Sequence, residues 1–359
     1  MTAFFEKLTV GNIELDNRIV MSPMTRSRAS DDGVQPDYAA EYYSQRASAG
    51  LIITEATNIS PMAKGYISTS GIYNDEQIAA WKKVTGAVHA KGGKIFMQLF
   101  HTGRIALPDF LPGNAQPVAP SAVTADGQNY TPDGMKKFVT PRELTTEEVK
   151  KTVKDFGRAA KNAIGAGFDG VELHGANGYL VHQFLGTNTN LRTDAYGGSD
   201  ENRAKFLFEV VDAISGEIGA DKLGVKLSPT VPFNDMQDEN AKEFYPYIID
   251  ELNKRNLAYL HIGFEETPEK DIDWHKFLRP IYKGIYFANG GFTKATGEKL
   301  LVENGADAIV FGKLLLANPD LPERFKLDAN LNDWDMSTFY SPGEKGYTDY
   351  PTLKYAAGA

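Results

Sequence analysis

The chain has 359 residues, 42% of them hydrophobic, with 34 glycines, 18 prolines and no cysteine. This describes an ordinary globular enzyme with room for a sizeable core, and it excludes a disulfide framework and thiolate chemistry. The formal net charge of -9 is spread without a basic run, which argues against nucleic-acid binding.

Met1–Asp16 mixes charged and apolar residues and has no signal-peptide core, and no apolar stretch approaches spanning length. A cytoplasmic protein without membrane contact is expected. Two glycosylation-type triplets, at Asn58 and Asn129, are read as chance for the same reason.

Taken in chain order, short apolar runs alternate with longer segments of helical period. The predicted strands are Arg18–Met21, Gly50–Thr54, Lys94–Leu99, Gly170–Leu173, Leu223–Leu227, Tyr259–Ile262, Ile285–Ala288 and Ala308–Phe311. Most are unbroken apolar runs, as parallel strands covered on both faces require. Helical patterns occupy Gln77–Lys91, Lys151–Ala166, Asn202–Ile218, Ala241–Arg255 and Ala295–Asn304. The clearest stripe is Val149, Val153, Phe156, Ala160 and Ala163, and Thr145–Glu148 opens it with capping chemistry. Eight such alternations predict one α/β domain over residues 1–359, a (β/α)8 TIM barrel. An open doubly wound sheet is the alternative. His101–Glu143, after the third strand, is long and rich in Gly, Pro and Asn, and reads as a functional insertion of hairpin-lid type. Asp328–Ala359 reads as an ordered tail packed on the barrel.

In such barrels the site forms at the C-terminal ends of the strands. The fourth end is the most informative. His174 and Asn177 are three apart, so one helical turn would put both on one face, and Tyr179 follows with a phenol. Two donors and an acid suit carbonyl polarisation with protonation of the neighbouring carbon. A structural histidine and a core tyrosine would give the same spacing. Gly290 and Gly291 after the seventh strand, and Gly312 with Lys313 after the eighth, suit a phosphate cradle, though tight turns would look alike.

Three other patterns carry less. Gly165-x-Gly167-x-x-Gly170 has the dinucleotide spacing, but it follows a helix and precedes a strand, the reverse of what that motif needs. Glu172, His174 and His182 lack a further convincing ligand, so no metal is expected. Lys226, inside a strand, raises a Schiff-base aldolase as a rival. A flavin-binding protein without turnover is a second rival.

Several motifs in order carry a family resemblance: Asn17–Arg26, Glu41–Ala47, the Gln98–Arg104 stretch, Gly167–His174, Arg192–Ser199 and Gly346–Pro351. Over about Leu8 to Leu353 the chain resembles the old yellow enzyme family, especially its N-ethylmaleimide and pentaerythritol tetranitrate reductase branch. The resemblance implies non-covalent FMN and a hydride donor, NADPH or NADH. It implies a monomer or homodimer acting on small activated alkenes, those conjugated to carbonyl, imide or nitro groups. Pro23, Met24, Ala56 and Gln98 would line the flavin ring, and Thr25 would hydrogen-bond it. Gly290, Gly312 and Lys313 would hold the phosphate. His174 and Asn177 would bind the substrate oxygen, Tyr179 would supply the proton, and Tyr66, Phe100 and Tyr340 would wall the pocket. Asn177 is His in some relatives. Lys226 and Lys313 stand where the family commonly has Arg; lysine keeps the charge but loses the planar fork.

Overall fold

The structure is a computed structural model that describes residues 2–264 and 272–353. Eight parallel strands close on themselves. They are β1 (Ile19–Met21), β2 (Leu51–Ile53), β3 (Ile95–Phe100), β4 (Gly170–Gly175), β5 (Leu223–Leu227), β6 (Tyr259–Gly263), β7 (Tyr286–Asn289) and β8 (Ala308–Phe311). Neighbours pair in chain order, and β8 returns to β1 with Ile309 opposite Ile19. That closure removes the exposed edges an open sheet would leave, so the (β/α)8 barrel stands and the doubly wound alternative falls.

All eight predicted strands are present, within two residues at each end. Alternation sorts their side chains into two cores. Val20, Leu51, Ile53, Phe96, Tyr259, Phe287, Ala308 and Val310 point inward. Their neighbours Ile52, Met97, Leu173, Val225, Ile262 and Ile309 face the helices. The antiparallel hairpin Leu8–Val10/Ile13–Leu15 joins the inner cluster and plugs one end of the barrel. Gly224 is required inside: an added Cβ would stand 2.1 Å from the Tyr259 ring.

The helices are α1 (Ala39–Gln45), α2 (Asp75–His89), α3 (Thr146–Gly165), α4 (Leu180–Leu185), α5 (Asp200–Ile218), α6 (Ala241–Asn253), α7 (Trp274–Leu278), α8 (Lys294–Val302), α9 (Lys313–Ala317) and α10 (Leu321–Leu327). The opening of α3 is a full capping box: the Thr145 side chain accepts from Glu148 N–H, and the Glu148 carboxylate accepts from Thr145 N–H. The predicted stripe of α3 is inward, with Val153 half-buried. The glycine-rich triplet lies where expected, at the end of α3, and an added Cβ at Gly170 would strike Phe96.

The insertion after β3 carries the antiparallel hairpin Gln128–Thr131/Gly134–Lys137. Asn129 ties it down by donating to Gly65 O at 2.6 Å. The tail, of which residues 328–353 are described, runs back over the barrel mouth. Carbonyls of Phe339 and Gly346 accept from Arg26, and those of Thr338, Phe339, Gly343 and Lys345 accept from Arg28. Tyr347 stacks on Tyr42 with centroids 3.9 Å apart, Arg28 covers one outer face of the pair and Arg46 the other. Residues 354–359 of the expected tail lie outside the described residues. Among the described residues no helix is long and apolar enough to cross a membrane.

Candidate active site

A cavity of about 670 Å³ opens at the C-terminal ends of the strands. Pro23, Met24, Thr25, Ala56, Gln98, His174, Asn177, Tyr179, Lys226, Gly312, Lys313 and Tyr340 all line it. The predicted residues that do not line it are Tyr66, Phe100 and Gly290. Tyr66 and Phe100 stand behind Tyr179. The Tyr66 and Tyr179 hydroxyls hydrogen-bond at 3.0 Å, and the Phe100 ring meets Tyr179 edge-on at 5.4 Å. Gly290 turns toward Phe264, whose carbonyl oxygen would lie 2.1 Å from an added Cβ, and its neighbour Gly291 faces the cavity instead.

His174 and Asn177 do not share a helical face. His174 is the fifth residue of β4, and Asn177 lies in the turn after it with a left-handed φ of 56°. The turn, not a helix, brings them to one cavity. It is held from several sides. Asn177 N–H donates to the Ser228 hydroxyl at 2.8 Å, and Asn177 O accepts from the Asn234 carboxamide at 2.8 Å. Gly178, at φ 72°, donates its N–H to His182 Nδ1, and His182 Nε2 meets Asp238 at 3.1 Å. That explains His182 without a metal: it braces the turn as a hydrogen-bonded side chain.

Below the cavity lies a layer of buried polar side chains from alternate inward positions. Glu172 is fully buried and accepts from Gln98 Nε2 at 2.7 Å and from the Tyr259 hydroxyl at 3.1 Å, and it meets His261 Nδ1 at 2.8 Å. Burial alone would raise its carboxyl. His261, Lys226 and Gln98 outweigh burial and hold it below the ordinary glutamate range. Among the described residues no three His, Cys, Asp or Glu side chains gather as metal ligands.

The electrostatics define what each group offers. Burial, with the Lys226 charge next in weight, pushes the His174 imidazole well below its usual value, so the ring is neutral near pH 7 and presents one N–H donor. Burial pushes the Tyr179 phenol up to about 12, against the opposite pull of its hydrogen bond with Tyr66 and of the nearby Asn234. Tyr179 therefore keeps a proton to give across the whole neutral range.

The residues fit a flavin mononucleotide. His174 Nδ1 and His261 Nε2 are buried without a partner among the described residues, so polar atoms await a ligand or water. At the far end an added Cβ at Gly291 would meet nothing within 4 Å, and at Gly312 nothing nearer than Met24 Sδ at 3.5 Å. Lys313 supplies a cation there. Pro23, Met24, Ala56 and Gln98 would hold the flavin ring, and Gly291, Gly312 and Lys313 its phosphate. Reasoning from sequence missed Asn234, Phe233, Phe292, Trp334 and Phe339 at or near the cavity. It also missed Glu172 as the hub of the polar layer, although its two-residue step from His174 put it on the same inward face.

A family model described as the NADH:flavin oxidoreductase / NADH oxidase family matches residues 3–332. The chain is 44% identical over 354 residues to 12-oxophytodienoate reductase 1 of Oryza sativa subsp. japonica, covering 96% of this chain and 92% of that one. It is 44% identical over 353 residues to a probable flavin mononucleotide-dependent alkene reductase of Leishmania infantum, covering 96% of each. Among solved structures, morphinone reductase in complex with tetrahydroNAD superimposes with a TM-score of 0.94 at 45% identity over the full length of both chains. The old yellow enzyme homologue from Zymomonas mobilis does so with a TM-score of 0.94 at 39% identity, over 98% of this chain and 100% of that one. Matched through every barrel strand, the chain belongs to the NADH:flavin oxidoreductase / NADH oxidase family, as an FMN-dependent oxidoreductase of the old yellow enzyme group.

Proposed function

We propose that this protein is an ene-reductase that reduces carbon–carbon double bonds activated by a carbonyl, imide or nitro group, with NADPH or NADH as reductant. The observation that carries the reading is the convergence of His174, Asn177 and Tyr179 on one cavity that Pro23, Met24 and Thr25 also line. FMN, when bound, supplies hydride received from the nicotinamide to the β carbon of the alkene. The neutral His174 and the Asn177 carboxamide hold the oxygen of the activating group and draw electron density toward it. Tyr179, protonated up to about pH 12, gives its proton to the carbon beside that group. Phe233, Phe292, Phe339 and Tyr340 also line the cavity and offer apolar surface to the alkene. Gly291, Gly312 and Lys313 would hold the phosphate of the bound FMN, and Lys226 would bring positive charge to the same cavity.

The aldolase reading of Lys226 is disfavoured by its setting. That reading leaves Thr25, Gln98 and the His174, Asn177 and Tyr179 set, all lining one cavity with Lys226, without a role. The test of the reductase reading is Tyr179→Phe. Reduction of 2-cyclohexenone should fall by about 10²- to 10⁴-fold, while flavin reduction by NADPH continues at the parent rate. Equal alkene turnover by variant and parent would remove Tyr179 from its role.

A further inference from the structure

When a buried phenol gives up its proton, the phenolate left behind needs donors, because burial without them opposes the charge. Two side chains are placed to supply them. Tyr66 OH stands 3.0 Å from Tyr179 OH, with the two rings edge-on at 6.2 Å and 89°. Asn234 is the second. One of its two amide hydrogens donates to Asn177 O at 2.8 Å, fixing the carboxamide in the turn that leads to Tyr179, and Asn234 draws the ionisation of both the Tyr179 and Tyr66 phenols downward. Its backbone is also fixed, since Asn234 O accepts from Arg104 at 3.1 Å and its Cβ lies 2.7 Å from where a Cβ on Gly178 would stand. The other groups around Tyr179 are His174, 5.0 Å away ring to ring, Phe100, and Tyr340, whose own charge would raise the phenol. None of these three brings a positive charge, so stabilisation of the anion falls to the two donors.

We propose that Tyr66 and Asn234, which stand behind the cavity, form a two-donor cradle for the Tyr179 phenolate and so take part in the proton-transfer step. This rests on the reading of Tyr179 as proton donor. As the new C–H bond forms with the electron pair of the substrate's carbanion, the Tyr179 O–H bond breaks and its pair stays on the phenolate oxygen. That oxygen then accepts from Tyr66 O–H and from an Asn234 N–H. The proton on Tyr66 stays in place: the charge and hydrogen bond of Tyr179 raise the Tyr66 phenol further, beyond the effect of its burial, so Tyr179 is the more acidic of the pair. Hydrogen bonds to a full charge are about twice as strong as neutral ones, so the cradle strengthens as the charge develops.

The experiment places difluorotyrosine, a more acidic phenol, at position 179 of the FMN-loaded enzyme and follows its ionisation by ¹⁹F NMR. Parent, Tyr66→Phe and Asn234→Gly backgrounds are compared; glycine suits the left-handed φ of 59° at Asn234. Each variant should raise the apparent pKa of the label by about one unit and, with natural tyrosine at 179, slow reoxidation of reduced flavin by 2-cyclohexenone about tenfold. An unchanged titration in both variants would overturn the cradle. A raised pKa with unchanged reoxidation would show the donors present but idle in catalysis, and would overturn it equally. Unimpaired alkene reduction by Tyr179→Phe is a separate result, which would bring down the donor reading alone.

Discussion

Lys226 is one of two positions, with Lys313, where the family resemblance leads one to expect arginine. Its ammonium sits in the barrel interior with Glu172, Gln98 and His261 around the same layer. Lysine carries the charge but cannot offer arginine's planar pair of donors. Its contribution is therefore electrostatic, and removing it should act on the energetics of the bound group more than on the fold. Lys226→Met should lower the reduction potential of the bound FMN by an amount on the order of tens of millivolts, since about 30 mV corresponds to 1.4 kcal/mol for a two-electron couple. Spectroelectrochemical titration checks this; a potential equal to the parent's would show that the charge does not act on the ring. Glu172 illustrates what one side chain conceals in a sequence. A charged residue inside an apolar strand, two before His174, announces an inward-facing polar site. Only the fold shows that its partners come from β3 and β6, 74 and 89 residues away.

Elements with several turns or unbroken apolar runs were legible because their period repeats. The eight strands and α2, α3, α5, α6 and α8 follow from it to within a few residues. Helices α4, α7 and α9 span five or six residues, too few for a period to show. The β4–α4 turn was legible in content and not in shape: the donors were visible, but the left-handed backbone at Asn177 and Gly178 has no spacing signature. The capping box of α3 belongs to the legible part, and it also accepts a bidentate contact from Arg142 to Glu148 at 2.8 Å. Thr145→Ala should cost about 1 kcal/mol of stability with unaltered activity. Urea denaturation of the two proteins measures it, and coincident midpoints would show that the cap adds nothing.

At the scale of the whole molecule, acid should be the destabilising direction. Burial lowers the His101 imidazole to about 3 and the His275 imidazole to about 4. The unfolded chain binds protons on both below about pH 6.5 while the folded chain refuses them. Their stabilising effect is thus complete above pH 6.5 and is lost as pH falls from there toward 4 and 3. Each contributes a slope of up to about 1.4 kcal/mol per pH unit inside that window. Glu55 pulls the other way, because burial raises its carboxyl above the usual range, while the lowered imidazoles of His174 and His261 add to the loss in acid. Urea midpoints that fall steadily from pH 7 to 5 are the expected outcome; a flat profile would contradict it.

The tail adds a dependence that runs against chain order. The loop carrying Pro23, Met24 and Thr25 is steadied through Arg26 and Arg28 by carbonyls of residues 338–346, more than 300 positions later. During synthesis the first cofactor-facing segment therefore emerges long before the backbone that braces it. A ribosome-bound chain lacking its last stretch would have the barrel strands in hand and still hold a loose wall on one side of the cavity. Firm flavin capture is the expected consequence of residues 338–346 reaching Arg26 and Arg28, and a truncation before residue 338 should weaken retention of the yellow colour.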